Sequence, residues 1–451
     1  MINFNSYFKE KQSSYSLSFY RIFFGILMLY SLIRFWFNNW IYTLYIKPTY
    51  FFSYYGFDWI KPLGYWTYLI FFLCIVSSIG ITLGFKYKFS IISFFILFSY
   101  IELMDKTTYL NHYYFIMILS FIMIFLPANS SFSIDSLLSG KSYNFVPKWN
   151  IDILKLIISL VYIYAGIAKI NYDWLINAQP LKIWLSTKYD IPILGFFFVK
   201  FKFIFIIMSW FSMFYDLFIP LLLYFKRTRL FAFILVVIFH ILTKVFFPIG
   251  VFPFVMIISS MIFFSENFHK KVLNKLSFFL KKIYSKTVKL KYYNDFKNDS
   301  KKYRYLLLSF IFLQLLIPFR YLLYNGNILW NEQGYRFSWR VMLIEKAGFC
   351  QFKIKNNDKF FLVDNSEFLT PFQEKQMSFQ PDFIIEFAHY LGNYYSNMNN
   401  DKVRVFVDCF VTLNGRESKR FVDQNIDLYS KSKYFNYEDW LIPMNEKNEE
   451  F

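Results

Sequence analysis

The chain has 451 residues, of which 56% are hydrophobic and 25% aromatic, and a formal net charge of +19 at pH 7. A soluble domain of this size cannot bury that much apolar side chain in one core, so we expect a surface that faces membrane lipid. The basic residues lie beside apolar runs without a helix-turn-helix, zinc-finger or RNA-binding signature, which argues against a nucleic-acid partner and favours loops that face anionic lipid.

A membrane-spanning helix needs about 20 largely apolar residues, because its backbone polar groups can be satisfied only within the helix. The first apolar run begins near Tyr15 without a small-residue cleavage site behind it, so we expect it to remain in the protein. Nine segments are candidate spans, at about residues 15–36, 65–84, 89–104, 110–127, 151–170, 203–224, 230–247, 251–264 and 305–324. The third and eighth are short, and Pro248 and Gly250 separate the seventh from the eighth, so that pair is predicted to be re-entrant or strongly bent.

Loop charge predicts the orientation, because lysine and arginine collect on the cytoplasmic side of a membrane. With a cytoplasmic N-terminus, the basic loops at residues 86–88, 141–148 and 226–229 fall inside, and so does the lysine-rich connector before the ninth segment. Nine crossings then place the C-terminal region outside, on the same face as the loop that holds Lys106.

Beyond Tyr324 the composition becomes that of a soluble domain. The predicted fold class is therefore a mainly α membrane protein, with a bundle of about nine transmembrane helices at residues 1–325 and a small α+β extramembrane domain at residues 326–451. The predicted elements of this domain are a hairpin at residues 349–355 and 360–363, a helix capped by Thr370 and Gln373, a helix at about 382–391, and a strand at 403–413 that turns at Asn414-Gly415 and returns through Phe421 and Val422.

Several kinds of site have no signature in the sequence. Cys74, Cys350 and Cys409 are far apart and match no metal or redox spacing, so we expect no structural disulfide and no metal site. No phosphate-binding loop, dinucleotide fingerprint or serine nucleophile elbow is present. No internal repeat is evident, which weakens the hypothesis of a transporter built from duplicated halves.

Charged side chains within a bilayer are costly, and each is therefore a functional candidate. The densest polar run is D-K-T-T-Y-L-N-H at residues 105–112, between the third and fourth segments. Lys169, Asp216 and His240 lie in other apolar segments, and Lys244 follows His240 by one turn.

An amine that is partly withdrawn from water spends time without its proton and can act as a base. An acid on a lipophilic tail, such as a hydroquinone, would meet the Lys106 amine only in or near the membrane. The residues alone favour a plainer interpretation, in which Lys106 snorkels to the interface or pairs with Asp105. By the same reasoning His112 and His240 are packing histidines, and Lys169 and Asp216 orient helices.

The stretch M-D-K-T-T-Y-L-N-H-Y-Y at residues 104–114 resembles the segment of the gamma-glutamyl carboxylases that carries their proposed catalytic lysine. Other stretches match in the same order, at residues 54–59, 161–169, 173–174, 216–217, 240, 250–260, 334–342, 381–389 and 413–416. The resemblance covers nearly the whole chain, which looks like a short bacterial-type member of this vitamin K-dependent family.

This resemblance implies an enzyme that uses reduced vitamin K, oxygen and carbon dioxide to convert glutamate of a peptide or protein into gamma-carboxyglutamate, with epoxidation of the quinol as the driving reaction. It implies that Lys106 is the base that removes a proton from the hydroquinone. The candidates for positioning quinol or substrate are Asp105, Asn111, His112, Lys169, Asp216, His240, Trp339 and Arg340. The implied location is a bacterial inner membrane, with the site and the C-terminal domain facing the periplasm.

Three other functions remain open. Animal members extend well beyond the equivalent of Phe451, and that region recognises propeptides, so propeptide-guided modification is in doubt here. The protein could instead epoxidise or oxidise a quinol without carboxylation. It could also transport a solute along Lys106, Lys169 and Asp216, or serve as a non-catalytic membrane partner.

Overall fold

The computed structural model describes residues 4–191, 194–283, 291–296, 301–357, 359–434 and 437–444. In chain order its α-helices are α1 Phe4–Tyr7, α2 Tyr15–Phe37, α3 Trp40–Tyr45, α4 Thr67–Leu83, α5 Tyr87–Leu103, α6 Asn111–Phe125, α7 Ile134–Ser139, α8 Trp149–Ala168, α9 Tyr172–Leu175, α10 Leu181–Ser186, α11 Leu194–Lys200, α12 Phe203–Tyr224, α13 Arg229–Phe246, α14 Phe252–Ser260, α15 Glu266–Ile283, α16 Lys301–Leu316, α17 Ile328–Asn331, α18 Pro371–Met377 and α19 Pro381–Asn399. The strands are β1 Lys11–Ser13, β2 Lys141–Pro147, β3 Lys291–Asp295, β4 Lys346–Asn356, β5 Lys359–Leu362, β6 Arg404–Leu413 and β7 Lys419–Arg420. Short 3-10 helices occur at Gly64–Trp66, Lys106–Thr108, Met261–Phe263, Ile317–Leu323, Asn365–Glu367 and Leu428–Ser430.

Six helical stretches are long and apolar enough to cross a membrane. They are Tyr15–Phe37, Gly64–Leu83, Trp149–Ala168, Phe203–Tyr224, Arg229–Phe246 and Lys301–Leu323. The other three predicted segments are also helical but shorter: α5 has 17 residues, α6 has 15, and α14 continues into a 3-10 turn that ends at Phe263. The mainly α fold class is confirmed, whereas the count of nine spans remains a prediction.

The break between the seventh and eighth predicted segments is a bend. Helix α13 ends at Phe246 and α14 begins at Phe252. Gly250, between them, has a φ of +63°, in the left-handed region that glycine adopts without steric strain. The sequence signal from Pro248 and Gly250 therefore marks a change of chain direction.

A three-stranded sheet joins three distant parts of the chain at one end of the helical bundle. Strand β1 pairs antiparallel with β2, and β2 pairs parallel with β3. The segment before α2, the segment before α8 and the segment preceding α16 therefore lie together. The sequence did not predict this sheet, since residues 1–12 read only as a polar stretch.

The C-terminal region contains a four-stranded antiparallel sheet in the order β5-β4-β6-β7. The predicted hairpin is present, and Thr370 and Gln373 form the predicted capping box of α18. Two bounds differ from the prediction. Helix α19 continues to Asn399, and the returning strand is Lys419–Arg420, after which the Phe421 amide donates to the Cys409 carbonyl at 2.8 Å.

The prediction of no structural disulfide was wrong. Cys350 on β4 and Cys409 on β6 are direct partners in the antiparallel register, with their Cα atoms 4.2 Å apart, and they form a disulfide. They are 59 residues apart in the chain, so only the strand pairing brings them together.

The bundle and the C-terminal sheet are connected by a shared apolar core. Phe52 from the connection between α3 and α4, Trp174 from α9 and Phe205 from α12 are buried in the same cluster as Phe352 and Phe383 of the C-terminal region. The C-terminal region therefore packs on the end of the bundle opposite to the three-stranded sheet.

Candidate active site

Lys106 lies in the tight connection between α5 and α6, where hydrogen bonds fix the backbone. Its amide donates to the Phe52 carbonyl at 2.8 Å. The Asp105 carboxylate accepts from the Thr107 amide at 3.0 Å and so caps the 3-10 turn that begins at Lys106. This turn holds the Lys106 side chain at the end of the bundle that meets the C-terminal domain.

The Lys106 ammonium lies between two carboxylates of α19. Its Nζ is 2.8 Å from Asp382 Oδ2 and 3.0 Å from Glu386 Oε2, and it stands 4.8 Å from the centre of the Phe383 ring. Asp382 and Glu386 are four residues apart, so both point from one face of the helix. The Lys106 side chain is only 9% exposed.

Arg336 holds the first of these carboxylates in place. Its guanidinium is 2.7 Å and 3.3 Å from the two oxygens of Asp382 and 4.7 Å from the Phe383 ring centre. Burial alone would raise the pKa of Asp382, but the charges of Arg336 and Lys106 outweigh it and keep this pKa below its ordinary value. Asp382 therefore stays ionised between two cations.

Glu386 connects the buried amine to the protein surface. Its Oε1 atom accepts from the Ser53 amide at 2.8 Å and lies 2.8 Å from Ser53 Oγ. Ser53 Oγ is also 2.7 Å from Asp58 Oδ1. Lys433 lies beside both acids, 3.7 Å from Glu386 Oε1 and 3.2 Å from Asp58 Oδ1. Glu386 is 3% exposed and Asp58 54%, so these contacts run from the interior to solvent.

The side chains of Asp105 and Lys106 have different partners. Its second oxygen accepts from Gln373 Nε2 at 3.0 Å, which ties the turn to the start of α18. Burial raises the pKa of Asp105 from 3.8 to about 6, even though the hydrogen bonds from Thr107 and Gln373 act in the opposite direction. The carboxylates beside the amine are therefore those of α19.

Asn111, Trp339 and Arg340 join α6 to the segment before β4. Asn111 Nδ2 donates to the Arg340 carbonyl at 3.1 Å. Trp339 is buried with its ring 5.1 Å from that of Tyr114, and the Arg340 guanidinium lies 4.4 Å above the Tyr321 ring. These contacts hold the three residues at the junction between α6 and the segment before β4.

His112 and His240 come together on one aromatic side chain. Each ring centre is 5.7 Å from the centre of the Phe252 ring. His240 Nε2 is 3.0 Å from the Tyr162 hydroxyl, and within the described residues its buried Nδ1 has no hydrogen-bond partner. The structure thus gathers two of the predicted histidines into an aromatic wall, by which we mean His112, His240 and Phe252.

Lys169 and Asp216 form a separate buried ion pair with each other. The Lys169 ammonium also lies 5.6 Å from the Trp174 ring centre. This pair joins the end of α8 to α12.

Comparison with protein-family models shows the family to which this chain belongs. Residues 8–268 match the HTTM domain, and residues 299–447 match the lumenal domain of vitamin K-dependent gamma-carboxylase. The chain belongs to the vitamin K-dependent gamma-carboxylase family. No solved structure matches it. The six apolar helices indicate a membrane protein, and the lumenal-domain match places the C-terminal domain on the non-cytoplasmic side.

Sequence reasoning found Lys106 in this carboxylase-family chain but missed its partners. The spacing of Asp382 and Glu386 carried a usable signal, because two acids four residues apart at the start of a predicted helix share one face. Ser53, Lys433 and Arg336 carried no such signal, since each is far in the chain from the acid that it contacts.

Proposed function

We propose that this protein is an integral membrane enzyme that couples oxygen-dependent epoxidation of reduced vitamin K to the gamma-carboxylation of glutamate in a peptide or protein. The observation that carries the proposal is the contact of Lys106 with Asp382 and Glu386. The lysine belongs to the HTTM match and the acids to the carboxylase lumenal match, so both regions build one site. We further propose a bacterial inner membrane as its location, with this site facing the periplasm.

The aromatic wall suits a ring that carries hydroxyl groups. His240 Nδ1 is buried and without a partner among the described residues, and a buried polar atom of this kind favours a ligand that can form a hydrogen bond. His112 lies in the first turn of α6, directly after the Lys106 turn. His112, His240 and Phe252 would therefore hold the quinol ring near Lys106, with its tail among the apolar helices.

Oxidation of the bound hydroquinone would supply the driving force for removing a glutamate Cγ proton, a step too difficult for an ordinary side-chain base. The protein's own role is to start this oxidation: Lys106 Nζ accepts a hydroxyl proton from the quinol ring. The resulting ammonium then stabilises the negative charge in a site from which water is largely excluded.

Lys106 Nζ makes ion pairs with two carboxylates, and as an ammonium it must release a proton before it can accept one. Glu386 and Asp382 are the nearest acceptors. Asp382 also contacts the Arg336 guanidinium at 2.7 Å and 3.3 Å, which holds it ionised, whereas the second cation beside Glu386, Lys433, is 3.7 Å away. Glu386 is therefore the better acceptor for the Lys106 proton.

The order of helices between the strands of the three-stranded sheet supports nine membrane crossings. Strands β1, β2 and β3 lie at one end of the bundle, so the chain must cross the membrane an even number of times between one strand and the next. Helices α2, α4, α5 and α6 lie between β1 and β2, and α8, α12, α13 and α14 lie between β2 and β3. With α16 as the ninth crossing, the C-terminal domain falls on the same face as Lys106. The domain boundary at residues 325 and 326, after the 3-10 helix Ile317–Leu323, is part of this proposal.

The test is reconstitution of the purified protein in lipid nanodiscs with reduced vitamin K, oxygen, labelled carbon dioxide and a glutamate-containing peptide. We expect vitamin K epoxide by chromatography and a carbon dioxide mass increment on glutamate by mass spectrometry. A peptide with glutamine in place of glutamate is the control and should gain no mass. Epoxide without any carboxylated peptide would contradict the coupling, and the absence of both products would contradict the enzyme assignment.

A further inference from the structure

We propose that Glu386, Ser53 and Asp58 form a proton relay that carries the Lys106 proton to solvent. This inference rests on the proposed function, in which Lys106 becomes a free amine before it meets the quinol. It assigns a task to three side chains that sequence reasoning did not select.

The distances along the relay are those of successive hydrogen bonds. Lys106 Nζ is 3.0 Å from Glu386 Oε2, Glu386 Oε1 is 2.8 Å from Ser53 Oγ, and Ser53 Oγ is 2.7 Å from Asp58 Oδ1. Relative exposure rises from 3% at Glu386 to 54% at Asp58. The path therefore starts at a buried amine and ends at a carboxylate in contact with water.

The position of Ser53 points to a shared proton. Its hydroxyl has one hydrogen, yet carboxylate oxygens of two acids lie within hydrogen-bond distance of it. If both acids were ionised, only one of them could receive that hydrogen. Both contacts are satisfied once Glu386 has taken up the Lys106 proton and donates it to Ser53 Oγ, while Ser53 donates its own hydrogen to Asp58.

The transfer is balanced without any oxidant or reductant. The Lys106 ammonium gives one proton to Glu386 Oε2, which leaves a neutral amine and a carboxylic acid. A half-turn of that carboxyl group about its Cγ–Cδ bond, a torsion with a broad two-fold profile, presents the proton to Ser53 Oγ. Ser53 accepts it while giving its own hydrogen to Asp58 Oδ1, and Asp58 releases a proton to water.

Lys433 keeps the outer part of the relay ready to accept. Its ammonium is 3.7 Å from Glu386 Oε1 and 3.2 Å from Asp58 Oδ1, so its positive charge lies beside both acids. The pKa of Asp58 is lowered from its ordinary value, chiefly by the hydrogen bond from Ser53 and further by Lys433. Asp58 is thus a carboxylate at neutral pH and can receive the proton that Ser53 passes on.

The Ser53→Ala variant separates a relay from a purely structural contact. It removes the hydroxyl but keeps the Ser53 backbone amide that holds Glu386 Oε1 at 2.8 Å. We expect steady-state epoxide formation in nanodiscs to fall roughly 100-fold with an unchanged KM for the quinol. Imidazole, a small proton carrier, should restore much of the rate of Ser53→Ala. The Ser53→Thr variant keeps a hydroxyl and should be faster than Ser53→Ala.

Ser366→Ala is the matched control. It removes a hydroxyl–carboxylate contact of 2.6 Å to Asp364, away from the site, and should leave the rate unchanged.

A wild-type rate in Ser53→Ala would overturn the relay, and so would a slow variant that imidazole does not accelerate. The rate of epoxide formation by Glu386→Gln is a second test. Glutamine has the size of glutamate and keeps an oxygen that accepts from the Ser53 amide, but it does not take up a proton at neutral pH. It should be slow at every imidazole concentration, because the step from Lys106 itself is blocked. A wild-type protein that makes no epoxide would defeat the proposed function, whereas an active wild type with a silent Ser53→Ala would defeat only the relay.

Discussion

Asp105 and Lys106 are consecutive residues whose side chains have different partners. Asp105 binds the Thr107 amide and Gln373, whereas Lys106 binds Asp382 and Glu386. The sequence left open whether Asp105 pairs with Lys106. The acids that pair with Lys106 come instead from α19, because the extended backbone at Asp105 turns its side chain toward α18.

At the residue scale, the buried Asp105 predicts a pH-dependent stability. Its pKa is raised from 3.8 to about 6 by burial, so its stabilising contribution is present at low pH and is lost as the pH rises through about 6. Asp105→Asn stays neutral and should gain stability relative to wild type, by up to roughly 3 kcal/mol, as the pH rises from acid to neutral. Thermal melting of both proteins at about pH 4.5 and about pH 7.5 measures this, and the same difference in Tm at both pH values would contradict it.

The place of Lys106 in a polar run was visible in the sequence, and its surroundings were not. A polar run between two apolar segments is visible in the sequence, because charged residues are rare in that context. Glu386 is 280 residues away, and no local pattern links it to Lys106. Partners of this kind become visible only when the fold brings both regions together.

At the scale of elements, the start of α19 and the segment that carries Arg336 form one unit. Arg336 pairs with Asp382 through two contacts and stacks on Phe383, which fixes the face of α19 that Lys106 meets. Because the pair is largely buried, removing one partner leaves a poorly compensated charge.

Arg336→Gln should therefore lower the free energy of unfolding by roughly 3 kcal/mol. Arg420→Gln is the control, since its pair with Asp408 is about one-third exposed on both sides and should contribute roughly 1 kcal/mol or less. Thermal denaturation of the two variants in the same lipid gives the comparison. Equal losses of stability would show that Arg336 does not hold this unit together.

Elements with a strong local signal were predicted well. The capping residues Thr370 and Gln373 start α18, and the alternation at residues 403–413 gives β6. Strands β1 and β3 have three and five residues, too few for a clear period-two pattern, and their pairing spans most of the chain. The disulfide was missed for a related reason, because it depends on the register of β4 and β6.

At the scale of the molecule, contacts at both ends of the bundle indicate two distinct faces. The three-stranded sheet marks one end. At the other end, Asp173 beyond α8 accepts from Arg416 and Asn414 of the C-terminal domain, each at 2.8 Å. The disulfide in that domain is consistent with a non-cytoplasmic location, where thiols are commonly oxidised.

This arrangement predicts which loops an impermeant thiol reagent can reach in intact cells. Tyr172→Cys, at an exposed position beyond α8, should be labelled from outside. Lys271→Cys, exposed on α15, should be labelled only after permeabilisation, because the short helix α14 returns the chain to the inner face. Labelling of Lys271→Cys in intact cells would contradict the crossing by α14 and with it the count of nine.

The central claim is that the Lys106 amine acts as a base, and Lys106→Arg tests it most directly. Arginine keeps the positive charge and the pairing with Asp382 and Glu386, so the fold should survive, but its guanidinium does not lose a proton in proteins. We predict that epoxide formation from reduced vitamin K falls by roughly 1,000-fold in this variant, while Lys148→Arg, at an exposed pair with Glu10, retains the wild-type rate. An Lys106→Arg protein that forms epoxide at the wild-type rate would contradict the claim.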